Sequence, residues 1–407
     1  MASKKSQLGI IFLTVLIDLI GFGIVIPVLP RYAEHFGATV TQNGWLVGLF
    51  SLAQFIFSPV WGRISDRIGR KPVLVVSIFC TALGYFLMGA ATTLTTLFIA
   101  RILAGIATSN IGTAQAYIAD VSTKEERSKA MGLIGAAFGL GFILGPAIGG
   151  IMSTHFGLGS PMFLSGAMAA CNAVLVICIL PESLDPAHRG AREKQSIFAV
   201  LQHTKGSVYT TLLATYFFLI AGFSMMTAVY ALFTWHRFQL DIEHTGWVLA
   251  FVGFIGAMIQ GGMIGKLVKR YGEKTLASIG SLFLGASLFA LPLCGGVGTM
   301  LVAMAGIAIG NSLLMPTITG LASRNVDAQW QGRALGIMQS SGSLARWAGP
   351  VTAGWLLSFD LSKPVNFYAR TPFWTGAALL AVAFVLTLLL PQSQAATATL
   401  AEAPSTP

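Results

Sequence analysis

Charge is scarce in this chain. Only 10% of its 407 residues are Asp, Glu, Lys or Arg, against about 25% in soluble domains. A soluble chain of this length, divided into separate polar-coated cores, is thereby excluded. Cysteine is scarce as well. Cys80, Cys171, Cys178 and Cys294 all lie within apolar runs and lack metal-ligand spacing. They read as small buried hydrophobes, so neither a disulfide framework nor a zinc site is expected. The six histidines, His35, His155, His188, His203, His236 and His244, all fall in loops or at helix ends. No nucleotide loop, catalytic triad or metal cluster is written in the sequence, which argues against an enzyme and against any cofactor. The net charge of +10 does not imply nucleic acid, because the basic residues form short clusters between apolar runs. That is how membrane topology signals are distributed.

Apolar residues are abundant instead, at 55% of the chain, together with 46 glycines. A bilayer core takes about 20 apolar residues per helix, which leaves room for about a dozen spans. Twelve runs stand out, at about 8–29, 43–62, 72–90, 95–118, 130–152, 161–180, 208–233, 246–266, 275–294, 299–321, 334–358 and 372–390. Their length predicts helices rather than barrel strands. The first run is too long for a signal peptide and lacks a small-x-small cleavage site, so an uncleaved first helix is expected. With the N-terminus in the cytoplasm, nineteen Lys and Arg fall in cytoplasmic segments. Four, Arg31, Arg237, Lys363 and Arg370, fall in external loops. That bias supports an even number of spans with both termini cytoplasmic. Residues 182–206, including LDPAHRGAREKQS, read as a linker between halves 1–181 and 207–391. The Ala/Thr/Pro-rich stretch 392–407 reads as a disordered tail.

The halves echo each other. GRISDRIGRK at 62–71 and GKLVKRYGEK at 265–274 share glycine at positions 1 and 8, Arg at 6 and Lys at 10. Position 5 changes sign, from Asp66 to Lys269. KAMG at 129–132 is echoed by RALG at 333–336, and Gly145-Pro146 by Gly349-Pro350. A common offset of 203 to 204 residues predicts an all-α membrane protein of twelve helices in two pseudo-symmetric six-helix halves, a transporter architecture.

These motifs carry a resemblance. Gly62, Asp66, Arg67, Gly69, Arg70 and Lys71 resemble the loop 2–3 motif of the major facilitator superfamily. RILAGIATS at 101–109 resembles its span-4 arginine motif, and GFILGPAIGG at 141–150 the span-5 motif of drug:proton antiporters. DLIGFGIVIPVLP at 18–30 resembles the first helix of that group, which includes the tetracycline-efflux proteins. The resemblance spans all twelve runs. It implies a proton-coupled exporter of small molecules, expected as a monomer in a bacterial inner membrane. A proton-coupled importer of the same fold is the alternative.

Fourteen of the fifteen acidic residues lie in loops, tails or helix ends, and Asp18 alone sits deep in a span. An acid there is costly and points to function. It is the proton-carrier candidate. Arg101 is its expected partner: at ~1.5 Å per residue the two lie within about 5 Å of the same depth. A static buried ion pair is the alternative. Arg101, Gly105, Thr108, Gly112 and Gln115 follow a 4-3-4-3 rhythm and are predicted to share one helix face. Arg346 has no evident acid at its depth, so backbone carbonyls and cargo remain open as its partners.

Gly141, Gly145 and Gly149 bare one face of span 5, and Pro146 favours a kink. Close packing against span 8, through Gly253, Gly256, Gly261 and Gly262, is expected. The resemblance implies that spans 1, 4, 7 and 10 line the cargo cavity. Candidates there are Phe22, Asn110, Gln115, Tyr117, Tyr216, Tyr230 and Asn311, with Met225 and Met226, and Gln54 and Gln260 flanking. Tetracycline pumps of the family carry acids within spans 3 and 9. Gly84 stands at the first place and span 9 has none, so metal-chelated tetracycline fits poorly and a drug-like or lipophilic cargo fits better. The resemblance also sets Asp66 against the start of span 11 and Arg70 against Asp120. Lys269 cannot serve a positive helix end, so a one-sided latch is expected.

Overall fold

The structure is a computed structural model describing residues 4–108, 110–122, 124–184, 206–326 and 330–390. The expected tail at 392–407 and most of the linker lie outside these residues. Among these described residues, twelve helices of spanning length follow one another. They are α1 Lys4–His35, α2 Val40–Ile68, α3 Arg70–Gly89, α4 Leu94–Val121, α5 Lys124–Phe156 and α6 Ser160–Ile179, then α7 Gly206–Phe238, α8 Ile242–Tyr271, α9 Glu273–Ala290, α10 Val297–Arg324, α11 Gln331–Ser358 and α12 Arg370–Leu388. Eleven are apolar enough to cross a membrane by length and composition. The exception is α11, which carries Arg333, Gln339, Ser340, Ser341, Ser343 and Arg346. Leu83, Val174, Ile177, Leu282, Val302 and Val385 are exposed mid-helix, which makes sense only if lipid covers them.

Local chemistry sets the helix starts. Thr39 and Gln42 form a reciprocal capping box on α2. The Thr93 hydroxyl accepts from the Thr96 N–H, and the Asp241 carboxylate from that of His244. The decamers are not loops, as a hydropathy reading suggests. In each, one helix ends, a single glycine turns, and the next helix begins. Gly69 has φ +114° and Gly272 φ +77°, backbone that glycine alone adopts cheaply. This accounts for the glycine repeated at position 8.

Two spans are broken. The predicted shared face of α4 is interrupted after Ala107, where Thr108 turns extended, and the helix resumes at Asn110. A break frees carbonyls that lipid cannot satisfy. Trp61 Nε1 donates to the Ile106 oxygen at 2.6 Å and the Ser77 hydroxyl to that of Ala107 at 2.5 Å. In α8, a five-residue π turn at Ile259–Met263 separates Ile242–Met258 from Ile264–Tyr271.

The last six helices share one large core around Tyr216, Tyr230, Phe233 and Phe373. The first six hold two, around Ile11, Tyr117 and Val176 and around Leu29, Leu97 and Met162. Between these sets, α2 meets α11 and α5 meets α8, exchanged by the pseudo-symmetry, while α1 meets α7. Define the basic face as the one carrying the decamers. The α5–α8 contact runs from the opposite face, where Gly150 meets Glu243, past Gly253 and Phe142, to Gly139 and Ala257. Nearer the basic face, Gly132, Gly135, Gly261, Gly262 and Gly265 have nothing within 4 Å of where a Cβ would stand. Along α2–α11, Gly44 and Gly48 are packed against Gly354 and Trp347, but Gly62, Gly332 and Gly336 are open. The halves are therefore closed at the opposite face and splayed at the basic face.

Candidate functional site

Near mid-membrane, five of the first six helices converge. Asp18 on α1 is half-buried, with its Oδ1 buried. Arg101 on α4 is 4% exposed. A buried guanidinium needs partners, and α2 supplies them. Arg101 Nε donates to the Leu46 carbonyl at 3.3 Å, and its guanidinium stands 4.6 Å from the Phe50 ring centroid. The expected direct pairing with Asp18 is thus corrected, since α2 takes Arg101. The link is Tyr85 of α3, buried, with its hydroxyl beside Gly21. The neutral ring lies within electrostatic reach of both Asp18 and Arg101. Nothing in hydropathy or spacing singled out this tyrosine. Phe22 extends the group, 6.1 Å from Phe50 and 6.2 Å from Phe142 on α5.

The glycine stripe of α5 needs a second correction. Gly141, Gly145 and Gly149 lie against Leu19, Ile20, Gly23 and Ile24 of α1, not against α8. A Cβ at Gly145 would stand 2.7 Å from both Gly23 Cα and the Ile20 oxygen. The stripe one residue on, Phe142, Pro146 and Gly150, meets α8. Of the glycines expected on the α8 side, Gly253 does face α5. Gly256 faces Ser312 of α10, and Gly261 and Gly262 are open.

At the basic face, the Arg70 side chain is buried between Asp66 at 2.7 Å, Asp120 at 3.1 Å and the Ser65 hydroxyl at 3.0 Å. Arg70 opens α3, where the helix dipole disfavours a cation, and two carboxylates offset this. Glu182 completes the cluster. Its carboxylate accepts from the backbone N–H of Arg70 at 2.8 Å and Lys71 at 3.2 Å, capping α3. A Cβ at Gly69 would overlap that carboxylate. The sequence gives no sign of Glu182 as this cap, because it stands 112 residues from the helix start it serves. Asp66 was expected at the start of α11, and residues 327–329 before that helix lie outside the described ones.

At the opposite face polar side chains join the halves. Glu34 of α1 meets His236 of α7 at 3.2 Å and also pairs with Arg31, which lies 3.9 Å from the centroid of the Trp235 ring. Glu243 of α8 meets His155 of α5 at 3.3 Å. These pairs add to the backbone contacts that close this face.

The sequence profile described as Major Facilitator Superfamily matches residues 11–350 and, separately, 212–407. The chain belongs to the Major Facilitator Superfamily. It is similar to Multidrug resistance protein 2 of Bacillus subtilis (strain 168), 31% identical over 370 residues, covering 89% of this chain and 92% of the relative. The class H tetracycline resistance protein of Pasteurella multocida is 30% identical over 397 residues, 95% of each. Among solved structures, a bacterial homologue of the human lysosomal transporter Spinster superposes with TM-score 0.78 at 14% identity over 99% of both chains, a likeness of fold. As a member of this superfamily the chain is a transporter rather than an enzyme.

For a Major Facilitator transporter, the expected cargo residues divide sharply. Phe22, Gln54, Gln115 and Asn311 are half-buried and Gln260, in the π turn of α8, is exposed. Tyr117 and Tyr230 are corrected. Tyr117 is fully buried and donates to the Pro181 carbonyl at 2.9 Å, and Tyr230 points at Met300 Sδ, 3.7 Å away. Both are core side chains here, as are Met225 and Met226. Asn110 opens the second segment of α4, and its side chain lies outside the described residues. Tyr216 is buried beside Arg346, which donates to the Ser343 hydroxyl at 3.0 Å. Among the described residues Arg346 thus meets a serine hydroxyl and no acid.

Proposed function

We propose that this transporter exports drug-like or lipophilic small molecules in exchange for protons, with Asp18 as the proton carrier. The observation that carries the reading is the placement of Asp18: a mid-span carboxylate, buried at one oxygen, sharing Tyr85 with a buried arginine. A charged side chain at such depth costs about 2.5–3.5 kcal/mol, so protonation is a low-energy alternative to the ion. Neutralising Asp18 removes a charge from the cluster in which α1, α3 and α4 meet. Proton and cargo then favour opposite orientations of the halves 1–181 and 207–391, and exchange follows. The resistance proteins at about 30% identity favour export over import. The excess of Lys and Arg at the basic face supports a cytoplasmic position for that face, with both termini there, in a bacterial inner membrane. The splayed conformation is then inward-facing, ready to load cargo from the cytoplasm. Small molecule, proton and lipid are its partners, nucleic acid is not, and a monomer contains the whole pathway.

Everted vesicles with an imposed pH gradient test this, with ethidium as probe. Wild type should accumulate the dye against its gradient. Asp18→Asn should insert and bind the dye normally but equilibrate it without accumulation. Uphill flux in that variant overturns the proton role, and flux in the reverse direction overturns export.

A further inference from the structure

The second decamer changes sign at two places, not one. Position 9 is Arg70 in the first copy and Glu273 in the second. At the offset of 204 that also relates KAMG to RALG, Asp120 in the last turns of α4 becomes Arg324 at the end of α10. Both members reverse, so attraction survives. Arg324 Nη2 stands 3.3 Å from Glu273 Oε1, as Arg70 Nε stands 3.1 Å from Asp120 Oδ2. In each half the buried member opens the third helix and the more exposed member closes the fourth. Lysine at position 10 repeats its task as well. Lys71 Nζ donates to the Ile177 carbonyl at the end of α6, and Lys274 Nζ to the Leu388 carbonyl at the end of α12, at 2.8 and 2.9 Å.

The reversal suits the helix start. A carboxylate at the first residue of α9 is favoured by the dipole that Arg70 opposes at α3. Glu273 therefore does with one arginine what Arg70 does with two acids and the Glu182 cap. Gly320 leaves the room: a Cβ there would stand 2.8 Å from Glu273 Oε1. What the pair holds is otherwise poorly fastened. The last segment of α8, Ile264–Tyr271, has no buried residue. It follows the π turn, and only Ile264, Leu267 and Val268 lean on the small cluster of Ile259, Leu276 and Leu313.

We propose that Glu273 and Arg324 are positioning residues of the transport cycle, the charge-reversed counterpart of Arg70 and Asp120. They hold the α8–α9 turn to the end of α10, so the end of α8 meets α5 as a rigid rim when the basic face closes. Beside the one-sided latch expected at position 5, each half then carries its own fastening at position 9, of opposite polarity. The proposal rests on the alternating-access reading, and its test has a readout that needs no transport.

Full-length protein in proteoliposomes, with the four native cysteines replaced, carries Gly135→Cys as reporter. Gly135 lies one turn beyond the last α5–α8 contact, and only closure of the basic face covers it. Arg324→Gln should lower kcat for ethidium about tenfold with KM within about twofold, and should leave the reporter open to maleimide in conditions that protect it in wild type. Arg324→Lys should stay within about threefold of wild type. The neutral pair Glu273→Gln/Arg324→Gln should remain defective, and the reversed pair Glu273→Arg/Arg324→Asp should recover part of the protection. A neutral pair with wild-type turnover and protection overturns the proposal. So does a loss carried wholly by KM, or a lower Tm with unchanged protection, which marks a merely structural pair. If the reversed pair does not fold, the lysine and glutamine variants decide alone. Absence of ethidium transport in wild type would sink the export reading while the reporter still tests the pair.

Discussion

Gly253→Ala separates contacts that last through the cycle from contacts that break. A Cβ at Gly253 would stand 2.7 Å from the Phe142 oxygen, 2.8 Å from its carbon and 2.9 Å from the Ile143 nitrogen, where ordinary contact begins at 3.4 Å. All three obstacles are backbone, so no rotamer relieves them, and α5 and α8 must part by several tenths of an ångström. Overpacking of this kind costs about 1–3 kcal/mol. The cost falls only on the conformation in which the halves meet at the opposite face. It should therefore shift the equilibrium away from that conformation by roughly 5- to 150-fold. Maleimide labelling at Gly135→Cys, open in this conformation, should slow accordingly. Gly145→Ala is the control. Its overlap is as severe, but its neighbours Ile20 and Gly23 belong to the same half, so both conformations are penalised alike. It should lower Tm and leave the labelling ratio alone. Equal labelling ratios in the two variants would refute the division of α5 into a permanent and a transient face.

The links across the opposite face should bear on the same equilibrium. His236→Gln/His155→Gln alters the contacts to Glu34 and Glu243, so the conformation open at the basic face should lose population, read as slower labelling at Gly135→Cys than in the parent protein. Glu182→Ala should uncap α3 and cost about 0.5–2 kcal/mol, seen as a lower Tm. Glu182→Gln, which keeps an acceptor oxygen, should lose less.

Much of this architecture is legible in the sequence because the bilayer enforces it. Twelve apolar runs, the basic bias of alternate loops and a repeat at one offset require no knowledge of packing. The breaks at Thr108 and Ile259–Met263 are not legible, because a hydropathy run averages over backbone conformation. A glycine stripe shows that one face is bare but not which helix fills it. Hence the sequence points Gly145 at α8, whereas α1 occupies its face. Tyr117 and Tyr230 failed for a related reason: the resemblance names cavity helices, and the side of each helix is a matter of packing. The Glu273–Arg324 pair was hidden because position 9 looks like a mismatch until its partner 51 residues on is seen to reverse too. Asp18 and Arg101 were found by rarity, and Tyr85 could not be, since a span tyrosine is common.

The two stripes of α5 explain how a proton site inside one half can bear on the contact between halves. Leu19, next to Asp18, rests on Gly141: a Cβ there would stand 2.6 Å from the Leu19 Cβ. Phe142, next to Gly141, has its backbone against Gly253 of α8 and its ring 6.2 Å from Phe22 of α1. Two adjacent residues of one helix thus touch the proton helix on one side and the other half on the other. Interiors packed this closely do not deform smoothly. A displacement of α1 when Asp18 changes charge must be taken up by α5, and the nearest surface free to yield is the α8 contact, because it already ends at Gly139. Adjacency alone is only an association. On the alternating-access reading the α8 stripe must part when the opposite face opens, whereas the α1 stripe, with glycine backbone at van der Waals limit along its length, has room for one arrangement.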